Sequence, residues 1–203
     1  MSKFDVLVPV KALAQAKQRL QPALSPLDRA DLMLRMAGRV LQAAAGSALT
    51  ARAFVVTPDA EAARLAATYK AGVLADKAGA LNPAVAAAVA ERRAAGSTAI
   101  AVVLGDLPGL TAEALDAFLA SVPEDGAAII PDQTGSGTSA FAWRRAQPPR
   151  FAFGAGSLAR HIALAQEDGL SLVVHPPRPP FHDVDDIADL AVIADPDPTS
   201  PRA

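Results

Sequence analysis

Three cations, Lys11, Lys17 and Arg19, closely follow an apolar run from Val6 to Val10. Cations just past the carboxyl end of a buried strand sit where open α/β sheets place their ligands, and they suit a polyphosphate. The same residues also describe a first strand followed by a solvated basic turn. A second candidate is Asp106, in Gly105-Asp106-Leu107-Pro108 at the end of the most hydrophobic segment. A carboxylate there can hold Mg²⁺, which takes one or two protein carboxylates and completes its shell with phosphate oxygens and water. The alternative is an aspartate capping the turn before Pro108. A further carboxylate source, Asp183-Val184-Asp185-Asp186, also reads as the acidic start of a helix.

Two glycine loops add candidate anion sites. Thr134 to Ser139 and Phe153-Gly154-Ala155-Gly156-Ser157 expose backbone N–H groups, and the second runs into a helix N-terminus. In that helix Ser157, Arg160 and His161 stand at i, i+3 and i+4, a spacing that lets all three face one ligand. The competing reading is a mobile loop with solvent-facing Arg and His. Neither loop has the Walker pattern, and no G-x-G-x-x-G follows the first strand, so a P-loop kinase and an ordinary dinucleotide fold lose support.

These residues need a scaffold, and composition bounds it. With 203 residues, 51% of them apolar, and a mean hydropathy of +0.23, the chain can bury the core of one compact domain. A net charge of −2 without a long basic block argues against nucleic acid or an anionic membrane as the main partner. There is no cysteine, which removes thiolate catalysis, disulfides and cysteine-ligated metals. No apolar run is long enough to span a bilayer, and Asp5 interrupts the first hydrophobic segment, so a soluble cytoplasmic protein is expected.

Strand-like and helix-like segments alternate without internal repeat, the signature of βαβ units around a mostly parallel sheet. Strands are expected at Val6–Val10, Ala53–Thr57, Gly72–Ala75, Thr98–Leu104, Ala127–Pro131, Ser139–Arg144 and Ser171–His175. Helices are expected from Ser25-Pro26, where a cap precedes proline, and over Pro58–Lys70, Leu81–Ala95, Thr111–Ser121, Leu158–Glu167 and Asp183–Ala194. Residues 1–194 then form one domain, and 195–203, with three prolines, a disordered tail.

In chain order, VPVKALAQAKQRL, VTPD at 56–59, GALNPA at 79–84, GDLPGL at 105–110, GSGTSAF at 135–141, FGAGSLARH at 153–161 and DVDD at 183–186 resemble the guanylyltransferases of coenzyme F420 biosynthesis. The resemblance covers nearly the whole chain. It implies an α/β Rossmann-like three-layer sandwich of the molybdopterin guanylyltransferase type. It also implies a reaction in which GTP is joined to a small phosphorylated carboxylic acid with release of pyrophosphate. The acid is 2-phospho-L-lactate, phosphoenolpyruvate or 3-phosphoglycerate, with phosphoenolpyruvate favoured.

Carried onto this chain, the resemblance implies that Lys11, Lys17 and Arg19 grip the triphosphate, with Lys11, Lys17 and Asp106 catalytic. Asn82, Pro58 and Asp59 would border base and ribose, and Asp106 with Asp185 or Asp183 would hold Mg²⁺. Thr138, Gly154 and Ser157 would receive the acid. The chain departs from the family at Gly105, where Ala is usual, at Ser139, where Asn is usual, and in lacking Thr-Pro after the final aspartates. A transferase with a molybdopterin or sugar acceptor would instead open with a glycine-rich loop, and a non-catalytic nucleotide binder would not need the carboxylates. Oligomeric state is not legible, and a homodimer stays open. The joint expectation is that Lys11, Lys17 and Arg19 face the same cleft as Asp106.

Overall fold

The computed structural model describes residues 2–187, 189 and 190. The expected tail 195–203 and most of the expected last helix lie outside them. Seven strands form one sheet: β1 (Phe4–Pro9), β2 (Thr50–Thr57), β3 (Gly72–Ala75), β4 (Ala99–Val103), β5 (Ala127–Pro131), β6 (Thr138–Arg144) and β7 (Leu172–Val174), in the order β3-β2-β1-β4-β6-β5-β7. Among the described residues the α-helices are α1 (Pro26–Gly46), α2 (Ala60–Thr68), α3 (Leu81–Ala94), α4 (Ala112–Ala120) and α5 (Ser157–Glu167).

The strands alternate their side chains between two cores. Val6 and Val8 of β1 join a cluster with α1, α2 and α4, whereas Leu7 joins one with α3 and α5. A sheet covered on both faces explains why β4 and β5 read as unbroken apolar runs. The result is a three-layer sandwich. Helix α1 begins where the sequence signals it: Ser25 accepts from the Asp28 N–H while the Asp28 carboxylate accepts from the Ser25 N–H, a capping box ahead of Pro26.

Every strand pair is parallel except those made by β6, which runs antiparallel to β4 and β5. Residues 132–137, all that joins β5 to β6, are too few for a crossover, so the chain turns back as a hairpin. The parallel strands all end on one side. The order β3-β2-β1-β4 places the loops after β1 and β4 on either side of a topological switch point, where such sheets open a ligand crevice.

Candidate active site

A cleft of about 370 Å³ opens at that point, lined by Lys11, Lys17 and Arg19 from the loop after β1 and by Gly105, Asp106 and Asp185 opposite. The expectation that the cations share a cleft with Asp106 therefore holds. The loop keeps its shape through two 3-10 turns, Leu13–Gln15 and Gln18–Leu20, pinned by buried Leu13, Ala16 and Leu20. Between the turns Lys17 takes a left-handed backbone (φ 48°), uncommon for a side-chain-bearing residue, and this bends the chain inward. Its Nζ donates to Asp106 Oδ2 at 2.5 Å and to Asp185 Oδ1 at 2.9 Å, with the side chain only 6% exposed. Burial alone would lower the Lys17 pKa, but the Asp106 and Asp185 charges outweigh it and the net shift is upward. Arg19 is exposed and stands 3.6 Å from Asp185, while Lys11 is exposed.

Asp106, Asp183 and Asp185 each offer an oxygen within 4.8 Å of the others, the spacing of a cation site. Two oxygens of the group, Asp106 Oδ1 and Asp183 Oδ1, are buried without a hydrogen-bond partner. Burial, then the neighbouring Asp106 and Asp185 carboxylates, pushes Asp183 up to about 6. Hard oxygen donors with unfilled buried lone pairs fit a divalent ion such as Mg²⁺.

The chain segment that delivers Asp183 and Asp185 is built for placement. Fully buried Phe181 meets Phe118 of α4 edge to face at 5.7 Å, and Gly109, just past Asp106, packs against the backbone of Pro179 and Pro180. The Asp189 carboxylate accepts from the N–H of Asp185 (2.7 Å) and of Asp186 (2.9 Å), and Asp186 accepts from the Asp189 N–H in return. Asp183 and Asp185 stand on irregular chain and Asp186 in a bend, so among the described residues the triad carboxylates are not on the first turn of a helix as expected.

The two glycine loops are not equivalent. In the first, Asp132 takes the available donors: its carboxylate accepts from the N–H of Ser136 and Gly137 and from the Thr134 hydroxyl, and its carbonyl accepts from Gly135 N–H. The expected exposed N–H groups of that loop are therefore occupied. In the second, the carbonyls are turned away instead. Arg160 donates to the carbonyls of Ala152 and Ala155, Ser157 N–H to that of Gly154, and Asn82 to that of Phe153. The N–H groups of Gly154, Ala155 and Gly156 have no partner among the described residues, and Gly154 and Gly156 adopt positive φ (118° and 67°). Three successive free amides at the start of α5 are donors that an anion could engage.

Ser157, Arg160 and His161 do not face one ligand. Ser157 and His161 are each 1% exposed, whereas Arg160 folds over the outside of the loop. Ala152 N–H donates to His161 Nε2, so the Nδ1 hydrogen is left for the Thr138 hydroxyl, which also accepts from Ser157 Oγ. Burial, then the Arg160 charge, holds His161 down to about 4, neutral at ordinary pH. Thr138 and Ser157 thus support the loop with their hydroxyls, while Gly154 presents free backbone.

Pro58 lines a second compartment of about 140 Å³ that shares Pro9, Lys11, Gln15 and Leu81 with the first. Asp59 and Asn82 are turned elsewhere. Asp59 caps α2 through the N–H groups of Glu61 and Ala62 and accepts from Leu13 N–H, which ties down the cationic loop. The Asn82 amide is engaged by Phe153 backbone. At Gly105 a Cβ would lie 3.1 Å from the Pro9 carbonyl and 3.2 Å from Met33 Cε, so the glycine fits a tight approach. Ser139 is fully buried with an unpartnered hydroxyl. Sequence reasoning missed Asp132, Asp189 and Phe181; for Asp189 the aspartate three residues before it was a usable capping signal.

Solved structures share this architecture at low identity. A nucleotide-diphospho-sugar transferase from Desulfovibrio desulfuricans superposes with TM-score 0.78 at 20% identity, over 96% of this chain and 87% of that one. A nucleotidyl transferase from Methanothermobacter gives 0.67 at 18%, over 94% and 96%. In sequence, the phosphoenolpyruvate guanylyltransferase of Sphaerobacter thermophilus is 37% identical over 188 residues, 93% of this chain and 91% of that protein. That of Rubrobacter xylanophilus is 36% identical over 193 residues, 94% and 93%. The family described as "Guanylyl transferase CofC like" matches residues 4–194, so cleft, triad and free-amide loop all fall inside the match. The chain belongs to the CofC-like guanylyl transferase family.

Proposed function

We propose that this protein transfers the guanylyl group of GTP to phosphoenolpyruvate with release of pyrophosphate, the activating step for coenzyme F420 assembly. The relatives' names point to that acceptor. The observation that carries the reading is the shared cleft, where three cations line the same space as part of an acidic triad at the sheet's switch point.

Two polyanions must meet here, and at 4 Å and an effective dielectric of about 20 each charge pair repels by about 4 kcal/mol. Lys11 and Arg19, exposed in the cleft, bind the triphosphate and neutralise the pyrophosphate as it leaves. Lys17 holds Asp106 and Asp185 at one spacing and keeps its own charge beside them. Asp106, Asp183 and Asp185 hold Mg²⁺, which when bound neutralises the α-phosphate. The free amides of Gly154, Ala155 and Gly156 receive the acid, with Thr138 and Ser157 bracing them from below. An acceptor phosphate oxygen attacks the α-phosphorus, the bond to the bridging oxygen of the β-phosphate breaks, and pyrophosphate departs. The attacking phosphate is already ionised, so no general base is required. With these substrates the working compartment is the cytoplasm.

The test is incubation of the purified protein with GTP, Mg²⁺ and each of the three phospho-acids in turn, following pyrophosphate and coupling to the next transferase of the pathway. Turnover with phosphoenolpyruvate is expected. Silence with all three acids overturns the reading.

A further inference from the structure

We propose that Asn82 is a positioning residue that aims the 152–156 loop at the cleft, acting through the backbone of Phe153. Its side-chain Nδ2 donates to the Phe153 carbonyl at 3.1 Å and its Oδ1 accepts from the Phe153 N–H at 2.8 Å. A primary amide donates and accepts side by side from one planar group, so these bonds copy a strand pairing from a side chain. Among the described residues, every other hydrogen bond to 152–156 comes from Ser157, Arg160 or His161, which means from the helix the loop itself opens. The loop and α5 therefore form one body, and Asn82 is its hydrogen-bonded tether to the half of the molecule that carries the cations. The tether starts beside the cleft, because the preceding residue, Leu81, lines both of its compartments. Phe153 fixes the other end: its ring is buried, edge-on to His161 at 5.0 Å, so its backbone cannot follow a loosened Asn82 without disturbing the core.

Those two bonds locate the free amides of Gly154 to Gly156 relative to the triphosphate-side cations. Without these bonds the loop rests on the buried Phe153 ring and on α5, which bonds to Ser136 and Thr138, and the free amides lose their hydrogen-bonded link to α3 beside the cleft. The inference rests on the acceptor binding at these amides, as proposed above, and assigns Asn82 to acceptor affinity rather than to base or ribose.

The experiment compares wild type, Asn82→Ala and Asn82→Asp. Wild-type turnover with GTP and phosphoenolpyruvate is measured first and tests the functional reading alone. Asn82→Ala is expected to raise the KM for phosphoenolpyruvate about 10- to 100-fold, the worth of two lost hydrogen bonds, with the KM for GTP changed less than about threefold. Asn82→Asp keeps the bond from Phe153 N–H and falls between. Hydrogen exchange of the 152–156 backbone, read without substrate, tests the tether whatever the turnover. Exchange at Phe153 should quicken at least about tenfold in Asn82→Ala, with α3 and α5 protection retained. Equal rises in both KM values, a rise confined to GTP, or unchanged protection at Phe153 overturns the proposal.

Discussion

Replacing Lys17 by methionine keeps most of its apolar stem and deletes one charge from between Asp106 and Asp185. The ammonium is 2.5 and 2.9 Å from its partners and 6% exposed, so the variant takes the counter-charge from Asp106, 19% exposed, and leaves half-exposed Asp185 with Arg19 at 3.6 Å. Removing one partner of a buried pair costs about 3–5 kcal/mol, and the solvent exposure of Asp106 and Asp185 places this one at about 3 kcal/mol. For a chain of 203 residues this lowers Tm by about 6–12 °C. The pH dependence has a definite sign. Asp183 is raised to about 6 in the folded protein from an ordinary value near 3.8, so its ionisation costs stability above about pH 6, and the cost fades as pH falls. The Lys17→Met defect should accordingly be larger at pH 8 than at pH 5. Thermal unfolding in chelator, repeated with millimolar Mg²⁺, is the assay. Mg²⁺ restores the missing charge and should stabilise the variant more than the wild type, which carries its own cation there. A variant in chelator within about 1 kcal/mol of wild type, or one that gains no more from Mg²⁺, would refute the reasoning.

Asp106→Ala should abolish pyrophosphate release yet shift stability by no more than about 1 kcal/mol, because Lys17 keeps Asp185 as a partner; full pyrophosphate release would sink the metal role. An NMR titration of His161 should find its midpoint near 4, and the native state should lose up to about 3 kcal/mol of stability from this residue as pH drops from 6.5 to 4, because the unfolded chain takes up a proton that the folded imidazole refuses. A midpoint at 6 or above contradicts that. Asp132→Ala removes the acceptor of three hydrogen bonds from the 134–137 loop and should cost about 2–3 kcal/mol in urea unfolding, with faster proteolysis of that loop. Resistance equal to wild type would show that the loop holds itself.

Elements with strong local signals were legible. Ser25-Pro26 opened α1 as read, and Gly72–Ala75 and Ala127–Pro131 match β3 and β5 to the residue, because glycine, proline and apolar runs bound them locally. The reversed direction of β6 was not read, although the short loop before it implied a hairpin. The cationic loop and Asp106 were placed correctly by one topological argument, that ligands gather at strand carboxyl ends. The partners of Asp106 lie on a segment that reaches it through Phe181 packing on Phe118 and through Asp189 holding the N–H of Asp185. Such contacts between distant segments leave no periodic trace. Asn82 was found as a residue of interest, but its engagement with the Phe153 backbone was not read, since a side-chain amide suits a nucleotide base and a backbone strand edge equally well.

The two glycine loops show where composition stops being informative. Both have small residues, at least one positive-φ glycine and a neighbouring segment that can anchor them, and each meets the usual description of an anion cradle. One is already filled. Asp132 brings its own carboxylate to the amides of Ser136 and Gly137, at 3.0 and 2.8 Å, so a phosphate arriving there meets a negative charge and finds those donors engaged. The other has its carbonyls bound by Arg160, Ser157 and Asn82, a positive side chain and two neutral donors, so what remains facing outward is N–H alone. The difference in potential between the loops comes from which backbone groups the surrounding residues occupy, acceptors in one case and donors in the other. Substituting Arg160 should therefore weaken acceptor binding even though its guanidinium faces the loop's own carbonyls, because it fixes which side of the backbone is free.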